Sequence, residues 1–343
     1  MRTQPDDLDP TLLQETLARF WGLDALALTY QPVGFGSHHW RAEATDGQPS
    51  RWFVTVDDHR KAGLGVVPES SFDRLDRAMR TTTALHDELG LDFVVAPIPD
   101  HTGDVTHRLG DTTYTVALFP YLDGTSANYG QFVSEPDRLA TLGLIGRLHN
   151  ATTSLTDHLP RRDNLTIPRR HDLLATCRDL DTPWTSGPYG EQTRLLLRES
   201  HGDIVQALRI YDELVASVQA DPTPWVVTHG EPHAGNVLNA VDGRRLLVDW
   251  DTVALGPKER DLWMLLQGAA TDWTPYIDAT GKSVLSNDAI MMYRMMWDLS
   301  EIAAYVVWFR HAHDDSEDTA TGWGGLNACL PIKPEFQAEA DRA

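Results

Sequence analysis

The chain holds 343 residues, with 50 acidic against 29 basic side chains and a formal net charge of −21 at pH 7. Nucleic acid and anionic membranes reward clustered Lys and Arg, so this balance argues against both as partners and favours cationic ligands. At about 150 residues per domain the length points to two lobes; the lack of any apolar run near ~20 residues, the acidic start MRTQPDDLDP and two lone cysteines, Cys177 and Cys329, fit a cytoplasmic protein without a disulfide framework.

In chain order, Pro10 to Trp21 places Leu13, Leu17, Phe20 and Trp21 at helical spacing behind an Asp9-Pro10 start. Strands are expected at 51–56, 93–96 and 114–119, with a polar-faced helix over 72–89 between the first two. That order suits an antiparallel sheet with helices to one side. The turn Pro120-Tyr121-Leu122-Asp123-Gly124 closes this part. Beyond it the pattern is mostly helical. Leu139, Leu142, Ile145 and His149 share one face, Ile204 to Val218 step by four and three, and Met295 to Phe309 repeat that stepping. The expected division is residues 1–120 as a nucleotide-binding lobe and 121–343 as a helical lobe carrying the catalytic loop and the substrate face.

One non-helical island interrupts the helices. Trp225 to Thr228 reads as a buried strand entering His229-Gly230-Glu231-Pro232-His233-Ala234-Gly235-Asn236. Val237 to Asn239, an Asp242-Gly243 hairpin signal and Leu246 to Asp251 complete a strand, loop, strand, turn, strand sequence. Protein kinases write their catalytic loop H-R-D-x-x-x-x-N, whose Asp orients the acceptor hydroxyl and whose Asn binds magnesium. A later D-F-G adds a second carboxylate. His229, Glu231 and Asn236 stand at those offsets, and Asp249 follows at a strand end. Magnesium takes hard oxygen ligands and is commonly held by one or two protein groups plus phosphates, a pair that Asn236 and Asp249 can supply.

HGEPHAGNVL, LLVDWD and GPKERDLW together resemble the aminoglycoside phosphotransferases, a branch of the protein-kinase-like fold. The resemblance spans most of the chain, and the segment WDLSEIAAYVVWFR is most similar to the spectinomycin-phosphotransferase-like branch. It implies an α+β, two-lobed fold with a small antiparallel-sheet N-lobe and a larger, mainly helical C-lobe. It assigns Glu231 as the hydroxyl-orienting base and Asn236 and Asp249 as Mg2+ ligands, with His229 and Asp261 bracing the loop. The nucleotide, ATP or GTP, would lie against Gly34, Gly36, Ser37, Thr55, Phe119 and Tyr121, with backbone from Leu118 to Tyr121 bonding the purine.

Three features depart from the family pattern. Glu231 replaces the Asp, setting the carboxylate one methylene further out, where ~1 Å of misplacement can cost on the order of 100-fold in rate. Thr55 stands where the strand should carry a phosphate-binding Lys, and the chain has four lysines in all, Lys61, Lys258, Lys282 and Lys333. Arg41, Arg60 and Lys61 are the substitutes nearest in sequence. The loop Gly34-Phe35-Gly36-Ser37-His38-His39 lacks the third glycine, leaving His38 and His39 as candidates to face phosphate.

Zinc on His229, Glu231 and His233 is disfavoured, since Pro232 breaks the helix that a zinc-binding His pair needs. Gly281-Lys282-Ser283 fails as a P-loop because Tyr276 occupies the required glycine position. Asp298, Glu301, Tyr305 and Trp308 form a second stripe on the Met295 helix, either a plain surface face or a wall for a cationic, ring-shaped substrate. The expected function is O-phosphorylation of an aminoglycoside or aminocyclitol. A metabolic kinase for choline, a sugar or a homoserine-like alcohol is the alternative, as is an inactive pseudokinase or binding protein.

Overall fold

A computed structural model describes the chain except residues 35, 46–49, 60–70, 131, 267–271, 282–284 and 333–343. Phe35, Arg60, Lys61, Lys282 and Lys333 therefore lie outside the described residues. By packing the chain forms two units, one of Met1–Ala62, Val67–Asp163 and Pro224–Val284, the other chiefly of Asn164–Thr223 and Leu285–Ala343. These cut the chain elsewhere than residue 120, because the segment with the HGEPH motif packs with the sheet. The division of 1–120 from 121–343 remains a proposal about roles.

In the first unit, α1 (Pro10–Trp21) starts at Asp9, whose side chain accepts from the Thr11 N–H. Five antiparallel strands follow, β1 (Leu26–Gln31), β2 (His38–Ala44), β3 (Arg51–Asp58), β4 (His107–Arg108) and β5 (Tyr114–Pro120), in the order β1-β2-β3-β5-β4. Period-two alternation gives the sheet two different faces. Trp40, Ala42, Val54, Val56, Val116 and Leu118 are buried with Leu13 and Leu17 of α1 in one core. The other face carries His39, Arg41, Phe53, Thr55, Asp57, Ala117 and Phe119. Thr55 lies opposite His39 on one side and Ala117 on the other.

Between β3 and β4, α2 (Ser71–Thr83) runs into a wider turn over Ala84–Glu88, so the polar-faced helix is present. The strand expected at 93–96 is not formed. Val94 makes an isolated parallel bridge to Leu247, and Pro97 and Pro99, which lack N–H donors, follow directly. Ile98 donates to the Leu118 carbonyl at 2.7 Å, so that oxygen already has a partner.

After β6 (Gly124–Thr125), α3 (Glu135–Asn150) packs against α7 (Thr274–Thr280). The island forms β7 (Val226–Thr228), β8 (Val237–Ala240), β9 (Arg245–Leu247) and β10 (Ala254–Gly256), followed by the short α6 (Glu259–Leu262). β7 pairs with β10, and β6, β8 and β9 form a three-stranded sheet.

The second unit is helical, with α4 (Arg170–Cys177), α5 (Gly190–Ala220), α8 (Asn287–Arg310) and α9 (Glu317–Cys329). The stripes read from sequence are its core. Ile204, Leu208, Tyr211 and Val218 of α5 are buried, as are Met295, Leu299, Ile302, Val306 and Phe309 of α8. No described helix is long and apolar enough to cross a membrane.

Candidate active site

The loop between β7 and β8 is held mainly through its backbone. Asp261, fully buried on α6, accepts from the His229 N–H at 3.0 Å, the Gly230 N–H at 2.6 Å and the His149 ring at 2.9 Å. The other ring nitrogen of His149 meets the Tyr276 hydroxyl at 2.9 Å, which ties α3 and α7 to the same carboxylate. Burial opposes ionisation of Asp261, but its bond to His149 and the charges of His149, His229 and Arg260 outweigh it and hold its pKa below the usual range. Gly230 sits at φ 104°, and a Cβ there would meet Arg260 at 2.5 Å, so a side chain is excluded.

His229 is fully buried. Its Nδ1 accepts from the Glu231 N–H at 3.2 Å, and its Nε2 lies 2.9 Å from the Val248 carbonyl, which fixes the neutral tautomer with Nε2 protonated. Desolvation lowers its pKa to about 4. The same cause takes His233 to about 4 and His39 to about 3. Each of these rings has a folded pKa below its unfolded value of 6.5, so the unfolded chain binds the extra protons. Their contribution is complete above about pH 6.5 and is lost as pH falls toward 4 and then 3. We expect the melting temperature to drop across that window, with a slope approaching 1.4 kcal/mol per pH unit for each ring. A pH series of thermal denaturation checks this, and His229→Gln flattens the slope.

The loop fixes the direction of the Asn236 amide. Its Nδ2 donates to the Glu231 carbonyl at 3.0 Å, which leaves Oδ1 as the free end of the amide. Its own backbone carbonyl accepts from the Val248 N–H at 3.0 Å, locking the loop to the segment that leads into Asp249. Asp249 has φ 67°, a left-handed conformation that an Asp tolerates and that costs about 1–3 kcal/mol. The ladder therefore ends at Leu247, before the expected Asp251.

Asp249 is open to solvent on one side while neighbouring protein atoms crowd its carboxylate. Desolvation first, then repulsion from Asp251, Glu231 and Asp57, raises its pKa well above the carboxylate range. Asp57 is pushed up to about 7 by burial, with Asp251 adding to the rise and the Ser37 hydroxyl, 2.5 Å away, opposing it. Three carboxylates, Asp251, Glu231 and Asp57, lie within electrostatic reach of Asp249, and hard oxygen donors of this kind suit a divalent cation. Among the described residues, no trio of His, Cys, Asp or Glu is placed to hold an ion by itself.

Glu231 is partly exposed, and its carboxylate lies 3.9 Å from His233 Nε2. The structure thus brings Glu231, Asn236 and Asp249 together, with His229 beneath them. Gly34 and Gly36 adopt φ 69° and 104°, and Ser37 reaches Asp57 across β2 and β3. Of the two loop histidines, His39 shares the face of Thr55, while His38 is buried on the opposite face beside Tyr30, at 3.1 Å. Phe119 lies opposite Phe53, and Tyr121 carries the Arg51 guanidinium over its ring at 4.7 Å. Arg41 shares the face of Thr55 but pairs at 3.1 Å with Glu43, which lies further along β2 from His39.

The α8 stripe divides. Asp298 and Tyr305 are buried, and a Cβ on Gly325 of α9 would meet the Tyr305 hydroxyl at 2.6 Å, with Trp308 equally close to Gly322. These two rings are thus engaged by α9. Burial raises the Glu301 pKa, the Tyr305 hydroxyl opposes that rise and Asp298 adds to it.

A family model of the phosphotransferase enzyme family matches residues 39–291, which include the whole constellation. The chain belongs to that family. This phosphotransferase is 27% identical to Protein StrN of Streptomyces griseus over 258 residues, 71% of this chain and 73% of that protein. Its fold is similar to that of a spectinomycin phosphotransferase solved with ADP and spectinomycin, with a TM-score of 0.69 at 16% identity, covering 94% and 95% of the two chains. A microcompartment-associated aminopropanol kinase gives 0.60 at 14%, covering 96% and 98%. The protein-kinase-like α+β fold is thereby established, and the enzyme is a phosphotransferase of the kind that acts on an alcohol group.

Sequence reasoning missed Asp57 and Asp251 as members of the acidic group. The signal for Asp57 was present, because Phe53, Thr55 and Asp57 alternate onto one face of β3.

Proposed function

We propose that this phosphotransferase moves the γ-phosphoryl group of ATP or GTP to a hydroxyl of an aminocyclitol or aminoglycoside-like acceptor in the cytoplasm. The observation that carries the reading is the Asn236 amide, turned by its bond to the Glu231 carbonyl so that oxygen is its free end, on a backbone that the Val248 N–H ties to the residue before Asp249. Asn236 and Asp249 would hold Mg2+. When bound, that ion neutralises charge on the transferring phosphoryl group. Glu231 orients the acceptor hydroxyl and accepts its proton. His229 keeps the loop in place beneath it. Phe119 and Tyr121 would border the base, and Gly34, Gly36 and Ser37 the phosphates. Because this transition state is loose, orientation outweighs base strength, and a Glu can serve where relatives in the family pattern use Asp.

The net charge of −21, the buried Asp298 and the partly buried Glu301 support a cationic acceptor. The solved spectinomycin phosphotransferase supports an aminocyclitol in particular. A metabolic amino-alcohol acceptor is the second reading, favoured by the aminopropanol kinase likeness. Purified protein incubated with labelled ATP or GTP and a panel of aminocyclitols, aminoglycosides, choline and aminopropanol decides between them. We expect label on an aminocyclitol, and a fall of 100-fold or more in kcat for Glu231→Gln. Transfer to choline or aminopropanol alone would install the second reading. Nucleotide binding without transfer to any acceptor would make the protein a binding module.

A further inference from the structure

The missing strand lysine leaves a question of charge, which two arginines outside the motif answer. Arg74 lies in the first turn of α2, and Arg161 in the segment entering the Asp163 region. α2 runs beside that segment, since Thr81 Oγ1 donates to the His158 carbonyl at 2.7 Å and one groove is lined by Asp73, Asp76, Arg77 and Arg80 on one side and residues 156–159 on the other. The segment is pinned in turn. Leu255 donates to the Arg161 carbonyl and Asp163 to the Leu255 carbonyl, each at 2.8 Å. Arg260 then binds Asp163 at 3.2 Å and the Thr252 carbonyl at 2.8 Å, which fixes the segment against the residue following Asp251.

In this arrangement Arg74 and Arg161 are within electrostatic reach of Asp251 and of each other. Arg74 also acts on His59, the residue that follows β3 and stands two positions after Asp57. Asp251 in turn acts on Asp57. Burial disfavours the Arg161 charge, and Arg260 and Arg74 add repulsion that Asp163 and Asp251 partly offset. Neither guanidinium makes a side-chain hydrogen bond or ion pair within contact distance among the described residues. Two like charges held together, partly desolvated and unmatched by a bonded anion, form a site for an anion. A guanidinium fork matches phosphate oxygens in geometry as well as charge.

We propose that Arg74 and Arg161 together bind the phosphate groups of the nucleotide, supplying from α2 and the 161–163 segment the positive charge that β3 lacks at Thr55. This rests on the nucleotide-dependent reading above, and the experiment separates the two. Binding of Mg·ATP, Mg·ADP and adenosine is measured by calorimetry on wild type, Arg74→Met, Arg161→Met and the double variant, with the melting temperature of each recorded. The expected result is a rise of 10-fold or more in the dissociation constant for Mg·ATP in the double variant, a smaller rise for Mg·ADP, and unchanged adenosine affinity. Wild-type Mg·ATP affinity in the double variant would overturn the assignment while leaving the phosphotransferase reading intact. Equal loss of adenosine binding would also overturn it, by showing a structural role. Wild-type protein that binds adenosine and Mg·ATP equally well would place no phosphate contact here at all. A wild type that bound no nucleotide would remove the underlying reading itself.

Discussion

Replacing Asp249 with Ala is expected to lower phosphoryl transfer at least 1,000-fold while the protein stays folded, and Asn236→Ala is expected to follow it closely. The reason lies in what the two residues lack elsewhere. Asp249 sits on a strained left-handed backbone amid repelling carboxylates, an arrangement that costs stability and that the proposed ion would offset. Removing it relieves repulsion on Asp251, Glu231 and Asp57, so the variant should melt no lower than wild type. Loss of a preorganised electrostatic group in such a site commonly costs 100- to 1,000-fold, and loss of an ion ligand adds to that. Steady-state kinetics with saturating nucleotide, paired with thermal denaturation, is the measurement. Full turnover in both variants would show that the ion is held elsewhere.

Asp261→Ala is expected to act in the opposite way, through stability. Three donors converge on this carboxylate in a site closed to solvent, and removing a buried charged partner of this kind typically costs about 3–5 kcal/mol. The His229 and Gly230 amides would be left unsatisfied, and α3 would lose its link through His149. Denaturant unfolding should show the lower midpoint, and activity should fall with it. Asp261→Asn, which keeps the shape and one acceptor, should recover part of both. The sign of the pH effect follows from the depressed pKa. The stability Asp261 supplies is complete above the ordinary carboxylate range and disappears as pH falls through its lowered folded value.

Much of this was legible in the sequence because it is local. Glu231, Asn236 and Asp249 stand at fixed offsets within nineteen positions, and β7, β8 and β9 lie where alternation and the Asp242-Gly243 turn put them. The stripes of α5 and α8 were equally readable, since burial enforces their period. What sequence did not give depends on distant segments meeting. Phe93 to Ala96 has strand composition but finds a partner at one residue, Val94, before two prolines intervene. Arg74, Arg161 and Asp57 carry no motif, and their common neighbourhood arises from the pairing of 161–163 with β10 and of β3 with its sheet. Tyr305 and Trp308 have the spacing of an exposed stripe, but α9, whose Gly322 and Gly325 admit them closely, covers both rings.

The clasp on the catalytic loop has a bearing on how this family can diversify. Asp261 grips peptide N–H groups, which every residue but proline offers, so the loop's path does not depend on which side chains it bears. A lineage can therefore try a longer acid at position 231 over an unaltered main chain, and the exchange of Asp for Glu becomes a change of reach rather than of architecture.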